Sequence, residues 1–71
     1  NPANFQITIK TSNVNNFYKI EVFNAEGKLK LESKSKSNKK IISVAKLNPG
    51  WHLCRISYED EITNIPFLIV R

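Results

Sequence analysis

The sequence predicts an all-β fold, a small Ig-like antiparallel β-sandwich of six or seven strands. Three observations predict it. Apolar and polar residues alternate with period two along most of the chain, no stretch carries helical periodicity, and turn residues interrupt the pattern every several positions. The Cys and Trp pairs of antibody domains are absent, so the Ig label concerns architecture alone. No internal repeat is visible.

The elements read in order as follows. Phe5-Gln6-Ile7-Thr8-Ile9-Lys10 alternates as a half-buried strand does, and an Asn-rich break runs from Asn13 to Asn16. Tyr18 to Phe23 is the next strand, with Tyr18, Ile20 and Val22 on one face. Asn24-Ala25-Glu26-Gly27 is a hairpin turn, with Gly27 where left-handed geometry is needed. Lys28 to Ser33 returns as its partner, Leu29 and Leu31 inward and the lysines outward. From Ser33 to Asn38 serine and lysine alternate with no apolar anchor, which predicts a mobile loop. Lys40 to Val44 is another strand, Ile42 and Val44 sharing a face, and Leu47 plugs the sandwich end. Asn48-Pro49-Gly50 is a tight turn, because Pro49 presets φ near about −65° and Gly50 takes a positive φ without steric cost. Trp51 to Tyr58 follows as a strand, Glu59-Asp60-Glu61 is a charged tip, and Ile62 to Val70 closes the chain. Pro66 removes a backbone donor, so the last strand is bulged there or lies at an edge.

Seventy-one residues, 41% hydrophobic and 24% charged, predict one domain over residues 1–71 with too small a core for a deep catalytic cleft. No apolar run approaches the roughly 18 residues of a membrane span, so no transmembrane segment is expected. With no signal-peptide pattern, no Met and an Asn1-Pro2 opening, the chain reads as a piece of a longer protein.

The chemistry-bearing residues are sparse. His52 and Cys54 are the only histidine and cysteine, too few to converge on a metal. Asp60 stands between two glutamates without the spacing or the Gly of a calcium loop. Two glycines do not build a phosphate-cradling loop, and neither base nor oxyanion hole accompanies a nucleophile. No catalytic residue, metal or cofactor is expected, and the chain does not read as an enzyme. Cys54 is either a small core hydrophobe or a reactive thiol.

The formal charge of +5 is uneven: residues 1–46 carry nine lysines and three glutamates, and six lysines fall between Lys28 and Lys40. Such lysines either solvate an edge or, through Lys34, Lys36, Lys39 and Lys40, form a face for an anionic partner. Nucleic acid is not expected, because no aromatic interleaves with them. The aromatics Phe5, Phe17, Tyr18, Phe23, Trp51, Tyr58 and Phe67 mostly occupy positions that suit a core.

Strand 51–58 has two faces. His52, Cys54, Ile56 and Tyr58 share one, and Trp51, Leu53 and Arg55 the other. The pair Cys54 and Ile56 favours the first as core, leaving Trp51 and Leu53 partly exposed beside Arg55 as a docking patch. Alternatively Trp51 covers the sandwich end or packs on a neighbouring strand.

The chain resembles, over its whole length, the type A C-terminal sorting domain of proteins exported by the type IX secretion system of Bacteroidetes. Asn1-Pro2-Ala3, followed by the strand Ile7-Thr8-Ile9, is similar to that family's opening turn and first strand. Ile20-Glu21-Val22-Phe23-Asn24-Ala25-Glu26-Gly27-Lys28-Leu29 resembles its central hairpin, and Ile42 to Leu47 with Pro49-Gly50 its Leu-x-x-Gly-x-Tyr segment, continued by Leu53 to Ile56. The chain departs in having His52 for the usual Tyr, Glu59-Asp60-Glu61 in place of a Gly-bearing last hairpin, and Ile65-Pro66 where a Lys is usual. The resemblance implies a non-enzymatic address label, exported through the periplasm to the outer membrane and cell surface. Its implied partners are translocon, shuttle and sortase components; Gly50 and Arg55 match the family pattern, and together with Trp51, His52 and Arg71 they are the candidate recognition residues. A variant reading is a retained surface component that docks partners or holds anionic lipopolysaccharide on the Lys28–Lys40 face. From another class, an Ig-like spacer or carbohydrate-binding module also fits the architecture.

Overall fold

A computed structural model describes residues 2–3, 5–12 and 15–71. Asn1 of the opening turn, and Asn13 and Val14 of the Asn-rich break, lie outside them. Among the described residues seven strands form: β1 Pro2–Ala3, β2 Gln6–Lys10, β3 Tyr18–Asn24, β4 Leu29–Ser35, β5 Lys39–Ser43, β6 Gly50–Tyr58 and β7 Glu61–Ile69. They make a five-stranded sheet in the order β1-β7-β6-β3-β4 and a two-stranded sheet of β2 and β5. All pairs are antiparallel except β1 with β7, which run parallel at Pro2↔Leu68 and Ala3↔Ile69. The expected sandwich is present.

The core sits between the sheets, where period two delivers it. Tyr18, Ile20 and Val22 on β3, Cys54 on β6, and Phe67 and Ile69 on β7 face Ile9 on β2 and Ile42 on β5. Val44 and Leu47, in the link after β5, are buried in the same core. Each fully buried Val or Ile side chain contributes about 1.5–3 kcal/mol, so a handful of them holds the two sheets together. The small sheet is shorter than the large one, and Ile56 and Tyr58 at the far end of β6 are only partly covered.

Turn chemistry fixes the register. Asn24 Oδ1 accepts from the amides of Glu26 and Lys28 at 2.9 and 3.0 Å, and Gly27 takes φ 84° to close the β3–β4 hairpin. A register shift follows at once, with Val22 opposite Leu31 but Phe23 opposite Leu29. This bulge corrects the expectation for Leu29, which joins Phe23 on the outer face and is exposed, whereas Leu31 packs on the core.

Half of the segment expected to be a mobile loop, Ser33 to Ser35, is strand. Ser33 and Ser35 pair with Ile20 and Tyr18, and Lys34 alternates to the outside. A compact turn then leads to β5, with Ser37 Oγ donating to the carbonyl of Lys39 at 2.8 Å and Tyr18 Oη donating to the carbonyl of Ser37 at 2.8 Å. Serines in place of apolar residues hid the strand, because small hydroxyls bond to backbone here instead of filling volume.

Some aromatics depart from expectation. Tyr18 and Phe67 are buried, but Phe5 and Phe17 are exposed and Phe23 is half-buried on the outer face. Pro66, by contrast, lies at an edge: the β6–β7 register runs unbroken from Gly50↔Ile69 to Tyr58↔Glu61, and β1 reaches only Leu68 and Ile69. The β6–β7 turn is the tight Glu59-Asp60 pair, where Glu59 takes φ 52°, a left-handed conformation that a side chain resists.

Gly50 takes φ 123° with no heavy atom within 4 Å of where a Cβ would stand, so only backbone strain opposes a side chain there. Gly50→Ala is therefore expected to lower stability by about 1–2 kcal/mol, and Glu59→Gly to raise it by about 0.5–1 kcal/mol. Urea unfolding midpoints measure both, and equal midpoints for the two variants would contradict the backbone account.

Candidate functional site

The outer face of the large sheet carries the functional candidates, and β6 places them. Its register sets Leu53 opposite Phe23 on one side and Pro66 on the other, with Arg55 opposite Glu21 and Asn64. Trp51 stands beside Leu68, 58% exposed. Phe23, Trp51, Leu53, Pro66 and Arg55 line an open groove of about 670 Å³ across β3, β6 and β7. The predicted outward face of Trp51, Leu53 and Arg55 is the one observed.

Arg55 is held in place from two sides. Its Nε donates to Glu21 Oε1 at 3.0 Å and its Nη2 lies 2.9 Å from the same oxygen, while the guanidinium sits 4.8 Å from the centroid of the Phe23 ring. Lys19 bridges Glu21 and Glu32 at 3.7 and 3.0 Å, extending the charge row over β4, β3 and β6. Those carboxylates, Glu32 foremost, push the Lys19 ammonium above its usual pKa. The exposed pairs in this row contribute little singly. Glu21 differs, because its carboxylate is nearly covered and needs Arg55 to balance its lost hydration.

His52 and Cys54 point the other way, into the core. The His52 ring, 7% exposed, stacks on Phe67 at 5.6 Å, and its Nδ1 lies 3.0 Å from the carbonyl of Gly50. A flat ring with a polar atom near its own turn thus fills this buried position. Cys54 is buried, and burial pushes its thiol up. Gly50 provides the backbone corner that starts β6. Arg71 is a clamp: it donates to the backbone carbonyls of Leu47 and Val44, tying the C-terminus to the connection before the Pro-Gly turn.

The four lysines are not gathered on one plane. Lys34 points outward from the large sheet opposite Lys19, and Lys39 outward from the small sheet opposite Lys10. Lys36 lies in the link with its Nζ 5.7 Å from the Phe17 centroid, and Lys40 is half-buried opposite Ile9. Among the described residues no group of three or more His, Cys, Asp or Glu side chains could hold a metal ion, and no helix is long and apolar enough to cross a membrane.

Sequence reasoning missed Phe23, Pro66 and Glu21 as parts of this surface. The signal for Phe23 was present in its parity: Tyr18, Ile20 and Val22 point inward, so Phe23 points outward. Pro66 and Glu21 required the strand register, which no local pattern supplies.

Arg55→Met is expected to destabilise the domain by about 1–3 kcal/mol, because it leaves a covered carboxylate with only the more distant Lys19, at 3.7 Å, as its partner. Adding Glu21→Leu should recover most of that loss. Chemical denaturation of the two single variants and the double variant measures the coupling, and additive losses would show that the pair is not a unit.

A sequence model of the family described as the secretion system C-terminal sorting domain matches residues 1–71. No curated protein and no solved structure matches the chain.

Proposed function

The chain belongs to the secretion system C-terminal sorting domain family, and from that premise we propose that it works as a non-enzymatic address label read by contact. Sorting domains of this family mark proteins for type IX secretion, through the periplasm to the outer membrane and cell surface, and so interact with that machinery. The match over the full length of the chain is the observation that carries the reading.

The finer reading concerns how the label is read. The outer-face groove of Phe23, Trp51, Leu53 and Pro66 is the surface that translocon, shuttle or sortase components contact, with Trp51 its most exposed large side chain. An exposed Trp beside a positioned Arg is the chemistry of interface hot spots, since both present large area at small entropic cost. Gly50, His52 and Arg71 serve this surface indirectly. Gly50 starts β6, the His52–Phe67 stack supports it from below, and Arg71 fixes the connection that leads into it.

Residues 1–71 fused to a periplasmic reporter are expected to bring it to the surface of a type IX-competent host. Trp51→Ala combined with Leu53→Ser should cut surface display several-fold while the domain stays folded, because both side chains lie outside the core. Retention of the unmodified fusion in the periplasm would refute the sorting reading. Undiminished display of the double variant would refute the groove as its contact.

A further inference from the structure

The large sheet has two edges, and they are protected very differently. On β4, lysines at Lys30 and Lys34 guard the backbone from strand addition. On β7, β1 covers only Leu68 and Ile69, and among the described residues no strand pairs with the stretch Glu61 to Phe67 on that side. That stretch carries no Lys or Arg, and it exposes Ile62 on one face and Ile65 on the other, at 63% and 42%.

Which backbone groups point outward follows from the hairpin. Tyr58 and Glu61 close a two-residue turn and form its hydrogen-bonded pair, and the unbroken register continues the alternation from there. Thr63, Ile65 and Phe67 therefore bond back to β6, while Ile62, Asn64 and Pro66 turn their backbone groups to the open side. Pro66 agrees with this assignment, since a proline in a paired strand is tolerated where its missing N–H faces away from the neighbour. Proline also ends the usable edge, leaving a window from Glu61 to Ile65 between the acidic tip and Pro66.

We propose that this window accepts one short extended segment of a protein partner by strand addition, and that the segment carries a basic residue at the end beside Glu59, Asp60 and Glu61. The outward N–H and C=O groups of Ile62 and Asn64 supply the main-chain ladder. Ile62 and Ile65 offer an apolar contact on each face, so the guest alternates around apolar residues on both sides. The acidic tip sets the charge at its end. The inference deepens the sorting reading by assigning a contact to the last strand, and it rests on that reading only for which protein supplies the segment.

The test uses amide hydrogen exchange and amide NMR shifts of the 71-residue chain with a synthetic probe, a short peptide of alternating valine and threonine ended by arginines. In the free domain the amides of Ile62 and Asn64 should exchange fast while those of Thr63 and Ile65 are slow. The probe should slow Ile62 and Asn64, and a glutamate-ended version should bind at least about threefold more weakly. Asn64→Pro removes an outward donor at the same parity as Pro66 and should abolish the effect. Should that variant fail to fold, Ile62→Lys, at an exposed position, places a gatekeeper charge on the edge with the same expected loss. Unchanged exchange at Ile62 and Asn64, or equal binding of both peptides, would overturn the proposal. So would protection that grows with domain concentration alone, since a second copy would then hold the edge. None of these outcomes depends on the export assay, so the two readings fail separately.

Discussion

The alternation of β6 between β3 and β7 is the constraint on which the rest of the structure depends. All nine residues, Gly50 to Tyr58, pair with β7, and the six from His52 to Ser57 also pair with β3, neither ladder with a register shift, so every side chain on the strand is committed to one face. A slip of one residue would bring Trp51, Leu53 and Arg55 into the core and put His52 and Cys54 in water. The register is anchored at the strand's start, where Gly50 turns the corner and Arg71 grips the connection before it through the carbonyls of Val44 and Leu47. It is anchored along the strand by the Arg55–Glu21 pair and the His52–Phe67 stack, one on each face.

These two faces divide the labour of fold and recognition. The inner face buries a core just large enough to hold two sheets, and a chain of this size has little more to bury. The outer face is left with apolar area that a minimal sheet does not need, gathered around Trp51. Charge orders one wall of that area. The row from Glu32 through Lys19 and Glu21 to Arg55 fixes the guanidinium against the Phe23 ring at the groove's side.

Much of this was legible in the sequence because period two is a strong local signal. The inward faces of β3 and β6 and the Asn24–Gly27 hairpin followed from patterning and turn chemistry alone, whereas the hydrogen-bonded turn expected at Asn48-Pro49-Gly50 lies at Val44–Leu47, with only a bend at Pro49 before Gly50 opens β6. The failures share one cause, which is that they depend on pairing. Leu29 left the core because a bulge after Val22 shifted its register, and nothing in Lys28-Leu29-Lys30 announces a bulge. Ser33 to Ser35 joined a strand because Tyr18 and Ile20 lie opposite, not because serine favours strands. The lysines of the Lys28–Lys40 region look contiguous in one dimension, yet alternation and the crossing from β4 to β5 send Lys34 and Lys39 to opposite sides of the sandwich. At the candidate site, Trp51, Leu53 and Arg55 were readable by parity, whereas Glu21 and Pro66 entered only through the register.

The face assignment of β6 is tested most directly by the protein's single Trp and single Cys, which sit on opposite sides of the same strand. Acrylamide quenching of Trp51 and thiol-reagent labelling of Cys54, measured on the folded and the urea-unfolded domain, report the two faces independently. The account predicts that Trp51 is quenched nearly as well in the folded domain as in the unfolded one, while Cys54 reacts only on unfolding. A shielded, blue-shifted Trp51 together with a freely reacting Cys54 in the folded domain would contradict it, and with it the groove, the edge and the register from which both were read.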